Sequence, residues 1–257
     1  MNRIAKQPLD RAALQGVMSG IAPPHHSRAM ILRTLFFATA ALICHLQAQT
    51  PPAPAKEITD LLAKAEAGQA DAQTIVGVLY EIGRGVAKDE SQAAKWYRKA
   101  ADQGVAEAQF NLALLYKSGR GVPKDLTEAS NWMRKSADQG NAKAQFNLGV
   151  MYEKGEGLPK NDVEAIRWFT SAAEQGDATA QLNLGFMFAN GQGVKRNDVE
   201  AYKWWLIAAA QGQQAAKKNC EILERNLKST QMLGAQLAAR NFRPQKTQAA
   251  AKTAQPK

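Results

Sequence analysis

An internal period of 36 residues constrains this chain more than any other feature. Glycine recurs at Gly68, Gly104, Gly140, Gly176 and Gly212, and tryptophan at Trp96, Trp132, Trp168 and Trp204. Glycine pairs keep the same step, at Gly83 and Gly85, Gly119 and Gly121, Gly155 and Gly157, Gly191 and Gly193. A fixed period of about 20–50 residues marks an array whose units cannot bury their apolar faces alone. It predicts one elongated domain that grows by stacking.

Each copy reads as two helices. In residues 106–140, Ala108, Leu112, Leu115 and Tyr116 form a helical stripe that Gly119 terminates. A turn with Gly121 and Pro123 follows, and Asp125 with Glu128 predicts a reciprocal capping box on the second helix. The same pairing recurs as Asp89/Gln92, Asn161/Glu164 and Asn197/Glu200. The second helix carries Ala129, Trp132, Met133, Ser136 and Ala137 on one face. Alanines three before and five after each tryptophan let the helices approach, and the indole fills the space that remains. Ile58, Leu61, Leu62 and Ala65 predict a leading helix over the first copy. After Gly212 the pattern decays. Cys220, Leu223 and Leu227 continue one helical face, and Ser229 or Thr230 is expected to cap a last helix burying Met232, Leu233, Leu237 and Ala238, with a polar outer face.

The ends differ in composition from the body. Residues 1–48 hold five Lys and Arg against one acid, residues 213–257 nine against two, and the remainder 19 against 20. The formal net charge of +10 therefore belongs to the ends, and no basic stripe runs along the repeats as a nucleic-acid binder needs. Arg28 and Arg33, the apolar run 35–43 and the small Ala48 have the layout of a secretory signal at 30–48, with Met30 as a candidate start. That run is shorter than the roughly 20 residues a membrane-spanning helix needs, so no stable span is expected after cleavage. The expected organisation is an extension and signal at 1–48, a proline-rich linker at 49–56, an array with end helices at 57–243 and a disordered basic tail at 244–257. The expected location is the periplasm or the outside of the cell.

Catalytic chemistry finds little support. His25, His26 and His45 all precede the expected cleavage point, which removes histidine-based nucleophilic machinery and the commonest zinc ligand from the processed chain. Asp89, Glu128, Glu164 and Glu200 are explained by capping. The loop at 119–125 lacks the Gly-Lys-Ser/Thr ending of a phosphate cradle. No catalytic residue, metal or cofactor is assigned, and Cys220 reads as a small buried hydrophobe.

The Ala-x-x-x-Leu-Gly/Ala-x-x-Tyr first helix, the Gly-x-Gly-Val loop and the Ala-x-x-Trp second helix resemble the Sel-one-like repeat, a relative of the tetratricopeptide repeat, over roughly residues 70–216. Val76 and Phe188 are conservative departures. The resemblance implies an all-α, right-handed superhelix of stacked helix hairpins that serves as a scaffold or adaptor for a protein or peptide partner. It implies a concave face lined by first-helix residues: Glu107, Phe110, Asn111, Leu114 and Lys117 in one copy; Lys143, Phe146, Asn147, Val150 and Glu153 in the next; Thr179, Leu182, Asn183 and Phe186 in the third. Helical spacing leaves open whether Phe110, Phe146 and Phe186 line a groove or belong to the core. The chain lacks the per-repeat cysteines of the exported disulfide-bonded subgroup, so that subgroup's β-lactamase activity is not implied. The competing expectation is a cell-envelope enzyme or a regulator of one, for instance in peptidoglycan metabolism.

Overall fold

The computed structural model describes residues 56–245, and within them every regular element is an α-helix. The signal-like segment, most of the linker and residues 246–257 lie outside the described residues. The leading helix α1 spans Lys56–Glu66. Four hairpins follow: α2 Ala70–Ile82 with α3 Glu90–Asp102, α4 Ala106–Ser118 with α5 Leu126–Asp138, α6 Ala142–Lys154 with α7 Asp162–Glu174, and α8 Ala178–Asn190 with α9 Asp198–Ala210. Then come α10 Gln214–Glu224 and α11 Ser229–Asn241.

Each first helix packs most extensively on the second helix of its own copy and next on the second helix of the copy before. The core is accordingly a ribbon that runs from hairpin to hairpin. In copy two it consists of Ala108, Leu112, Ala113 and Leu115 from α4 and Ala129, Trp132, Met133 and Ala137 from α5, all buried. Every tryptophan of the 36-residue series is buried, with a cation over its ring: Lys99 over Trp96 at 4.0 Å, Lys135 over Trp132 at 3.9 Å, Arg167 over Trp168 at 5.5 Å and Lys203 over Trp204 at 4.8 Å. The long stems of those side chains shield the indoles while their charges stay in water.

The turns hold two features that the period implied. Gly119 closes α4 in the left-handed region, φ 73°, and its N–H donates to Leu115 O at 2.8 Å. Gly121 is needed for closeness as well as for φ 68°, because a Cβ there would lie 2.0 Å from the Glu90 carbonyl oxygen of the preceding copy. Gly157 and Gly193 make the same approach to Leu126 and Asp162.

The capping box is only half present. Asp125 Oδ1 accepts from Thr127 N–H and Glu128 N–H, both at 2.9 Å, but its own N–H donates to Tyr116 O at 3.0 Å. The return bond from the N3 side chain is displaced, since the first helix's carbonyl already takes that donor. Asp89, Asn161 and Asn197 repeat the arrangement on Tyr80, Tyr152 and Phe188.

The far end also departs from expectation. Lys228, not Ser229 or Thr230, occupies the N-cap of α11, and Gln231 Oε1 accepts its N–H at 3.0 Å. This helix packs on α9 through Ala235 and half-buried Met232 and Ala239, leaving Leu233 57% and Leu237 50% exposed. Its outer face is therefore not uniformly polar. The period that placed the earlier helices had ended, and the apolar spacing in α11 fits two faces equally well. Pro244 and Gln245, expected in the disordered tail, are seated against α7.

Candidate partner-binding face

A second series of side chains, unremarked in the sequence, fixes how the first helices are presented. Gln73, Gln109, Gln145 and Gln181 are buried at the 36-residue step. Each Nε2 donates to a carbonyl in the last turn of the preceding helix: Gln73 to Ala65 O of the leading helix at 3.1 Å, and in the second helices Gln109 to Ala101 O at 3.1 Å, Gln145 to Ala137 O at 3.2 Å and Gln181 to Ala173 O at 3.0 Å. Each of those carbonyls also accepts the N–H of the glycine that closes the turn, Gly68, Gly104, Gly140 or Gly176, at 2.9–3.0 Å, and the glutamine takes its second lone pair. Each Oε1 in turn accepts from the glutamine that follows the second helix of its own copy, Gln103, Gln139, Gln175 or Gln211, at 2.6–2.7 Å. One buried carboxamide thus ties three helices across a copy boundary.

On the opposite face of the first helices lie the residues expected to meet a partner. Glu107, Lys143 and Thr179 are exposed at the helix starts. Phe110, Asn111, Leu114, Phe146, Asn147, Val150, Glu153, Leu182 and Asn183 are half-buried. Phe110, Leu114, Phe146 and Val150 rest on the main core cluster, and Leu182 on the C-terminal one. The Phe146 ring is 5.7 Å from that of Phe169, so it serves the core on one side and solvent on the other. Asn147 Nδ2 donates to Lys143 O of its own helix at 2.8 Å. Lys117 Nζ pairs with Glu156 at 2.8 Å across the next boundary, and that pairing holds the Glu156 carboxyl below its usual range, the lysine hydrogen bond being the largest cause.

Phe186 stands apart, 38% exposed with its ring 5.3 Å from Trp205, edge to face. Beside it, between the consecutive first-helix positions α8 and α10, lies a cleft of about 290 Å³ that reaches Ala189, Asn219, Ile222 and Leu223. Ile222 is 56% exposed, and Asn219 Nδ2 is shielded from water with no partner. Arg196 lies at its rim, bound by both oxygens of Asp198 at 2.9 and 3.0 Å. Sequence reasoning missed Asn219 and Ile222. The signal was present, since Asn219 extends the row Asn111, Asn147, Asn183 by one step and Ile222 stands one step beyond Phe186.

Chemically this face offers apolar surface, carboxamides and paired charges. Among the described residues no group of His, Cys, Asp or Glu is placed to hold a metal ion. The Cys220 thiol is buried and pushed up to about 12, first by desolvation and then by Glu224 and Glu221, which leaves it a packing group near neutral pH. The Tyr97 hydroxyl is likewise pushed up by burial and by its bond to Glu81 at 2.8 Å. Among the described residues no helix is long and apolar enough to cross a membrane.

Comparison with known proteins agrees with the architecture. The family described as "Sel1 repeat" matches residues 70–105, 106–141, 142–177 and 178–213. A Sel1 repeat protein from Oxalobacter formigenes is 31% identical with a TM-score of 0.60, the match covering 84% of this chain and 85% of that one. A protective antigen of uropathogenic Escherichia coli with the SLR fold is 29% identical with a TM-score of 0.50, the match covering 78% of this chain and 51% of that one. No curated protein matches the sequence.

Proposed function

The chain belongs to the Sel1-repeat family, and from that premise we propose that it is an exported scaffold which holds a protein or peptide on its concave, first-helix face. The cleft beside Phe186 carries the reading. It combines a large aromatic left over a third exposed, a second apolar wall at Ile222 and a carboxamide donor with no partner. Large apolar side chains beside a buried donor are what an incoming apolar side chain and its backbone carbonyl satisfy together. The half-buried row Phe110, Leu114, Phe146 and Val150 extends the same surface along the array. Export rests on the signal-like layout of residues 30–48.

Phe186→Ala and Ile222→Glu test the binding face directly, because both side chains are substantially exposed and their loss leaves the core intact. Crosslinking in cells, followed by purification, should recover a discrete partner with the natural chain and at least about tenfold less with either variant, a difference of about 1.4 kcal/mol. Equal recovery, at an unchanged thermal midpoint, refutes the assignment of this face. Sequencing of the N-terminus of the mature protein tests export, with a start near residue 49 expected and an intact residue 1 or 30 opposing it.

A further inference from the structure

The carboxamides on the first-helix face keep one register. Asn111, Asn147, Asn183 and Asn219 stand 36 residues apart. Three positions on, the same helices carry Leu114, Val150, Phe186 and Ile222, so a polar group and an apolar one adjoin within each turn. Among the described residues no group hydrogen-bonds to the half-buried carboxamides of Asn111 and Asn183. Asn219 Nδ2 is unpaired where its side chain lines the cleft beside Phe186. Asn147 gives one N–H to Lys143 O and keeps a second donor. Copy one breaks the row with Ile75, which is 48% exposed. The rungs therefore run from α4 to α10.

Donors in register call for acceptors in register, which a backbone supplies whatever its sequence. Helices packed side by side repeat at roughly 10 Å. A polyproline II segment has three residues per turn and a rise of about 3.1 Å, so its carbonyls along one edge recur at about 9.3 Å, and none is bonded internally. A β-strand offers same-side carbonyls every second residue, at about 6.8 Å, and falls out of step after one rung. An α-helix repeats every seven residues at about 10.5 Å, but its carbonyls are bonded within the helix. Polyproline II ligands also seat their rings on aromatic walls. Phe186, edge to face with Trp205 at 5.3 Å, supplies such a wall beside the last rungs.

We propose that the partner held on the first-helix face is a proline-rich segment in the polyproline II conformation, with a carbonyl at every third residue accepting from Asn111, Asn147, Asn183 and Asn219. The inference rests on the partner face proposed above and adds the chemistry of what lies there. Three steps of three residues make the bound segment about ten residues, or about 28 Å, long. The carboxamides hold its backbone, and the apolar surface between them selects rings.

Decaproline with blocked ends, titrated into the ¹⁵N-labelled full chain, tests it. The side-chain NH2 signals of Asn111, Asn183 and Asn219, assigned with N111A, N183A and N219A, should shift together and saturate below about 1 mM peptide. Asn183→Leu keeps the size of the side chain and removes its donors. It should weaken binding at least about fivefold at an unchanged thermal midpoint. Signals that stay in place overturn the proposal, and so does an unchanged affinity in Asn183→Leu. An alanine-rich helical peptide of equal length is the comparison. If it moves the asparagine signals while decaproline does not, the partner face survives and the polyproline II assignment fails. Crosslinking of Phe186→Ala judges the face separately: a lost partner there, with no decaproline binding, keeps the face and again ends this assignment.

Discussion

At the residue scale, size is balanced across each hairpin. Gly77, Gly149 and Gly185 sit in first helices where an added Cβ would lie 2.6, 2.8 and 2.3 Å from atoms of Tyr97, Phe169 and Trp205. Copy two instead places Ala113 with the narrower Met133, both fully buried. Gly149→Ala should therefore destabilise by about 1–3 kcal/mol through overpacking, despite the roughly 1 kcal/mol that alanine gains in helix propensity. Adding Phe169→Met should restore most of the loss, because it recreates the pair of copy two, and urea midpoints of the four chains in the cycle decide the matter. The buried glutamines work differently. Gln181 is 0% exposed, so Gln181→Ala takes from Gln211 Nε2 its acceptor and from Ala173 O its second donor, the Gly176 N–H remaining at 3.0 Å. A loss of about 1–3 kcal/mol is expected, read as a lower denaturation midpoint, and Gln181→Glu should fare worse because it places an acceptor against a carbonyl.

At the element scale, polar contacts between consecutive hairpins are not copies of one another. Arg120 reaches Glu81 at 3.1 Å across the boundary between copies one and two. The positionally equivalent pair across the next boundary is Lys117 with Glu156, with its polarity reversed. Further along, Glu153 faces the position of uncharged Gln192. Arg98 donates to Tyr116 and Arg134 to Tyr152, each across a boundary, but Thr170 and Phe188 hold those two places at the third. Phe188, a conservative departure when judged alone, is half of a matched replacement. Exchanging Lys117 and Glu156 together should leave stability within about 0.5 kcal/mol, while Lys117→Glu alone should cost up to about 1 kcal/mol, the range for partly exposed ion pairs. The pH dependence follows from the depressed Glu156 carboxyl. Its contribution is full above the ordinary carboxylate pKa and fades as pH falls through the lowered one. Lys117→Ala should flatten that part of the acid denaturation curve.

At the scale of the whole molecule, an array whose units touch only their neighbours tolerates loss of a unit if the new neighbours agree. Removing residues 106–141 as one copy brings Glu81 opposite Glu156, two acids where each had a cation. That shortened chain should fold but gain stability from Glu156→Arg, which rebuilds the first boundary. The full-length chain should lose stability from the same change, since Lys117 would then face arginine. Opposite signs in the two backgrounds, measured by thermal unfolding, are the expected outcome; equal signs would mean that boundary charge does not set which copies are compatible.

The sequence alone determined the unit, its two helices, its turn glycines and the stacking, because a 36-residue period repeats each local requirement often enough to stand clear of chance. It also placed the residues proposed to meet a partner on one side of the first helices. It left open whether Phe146 and Phe186 were core or surface, because one helical stripe serves either purpose; the tertiary packing set Phe146 on Phe169 and left the Phe186 ring half in the open. The glutamine-to-glutamine bonds, the swapped charges between copies and the return of the chain onto α7 joined residues about 30 or more apart. Such contacts depend on how one hairpin is rotated against the next, and only the packed array fixes that rotation.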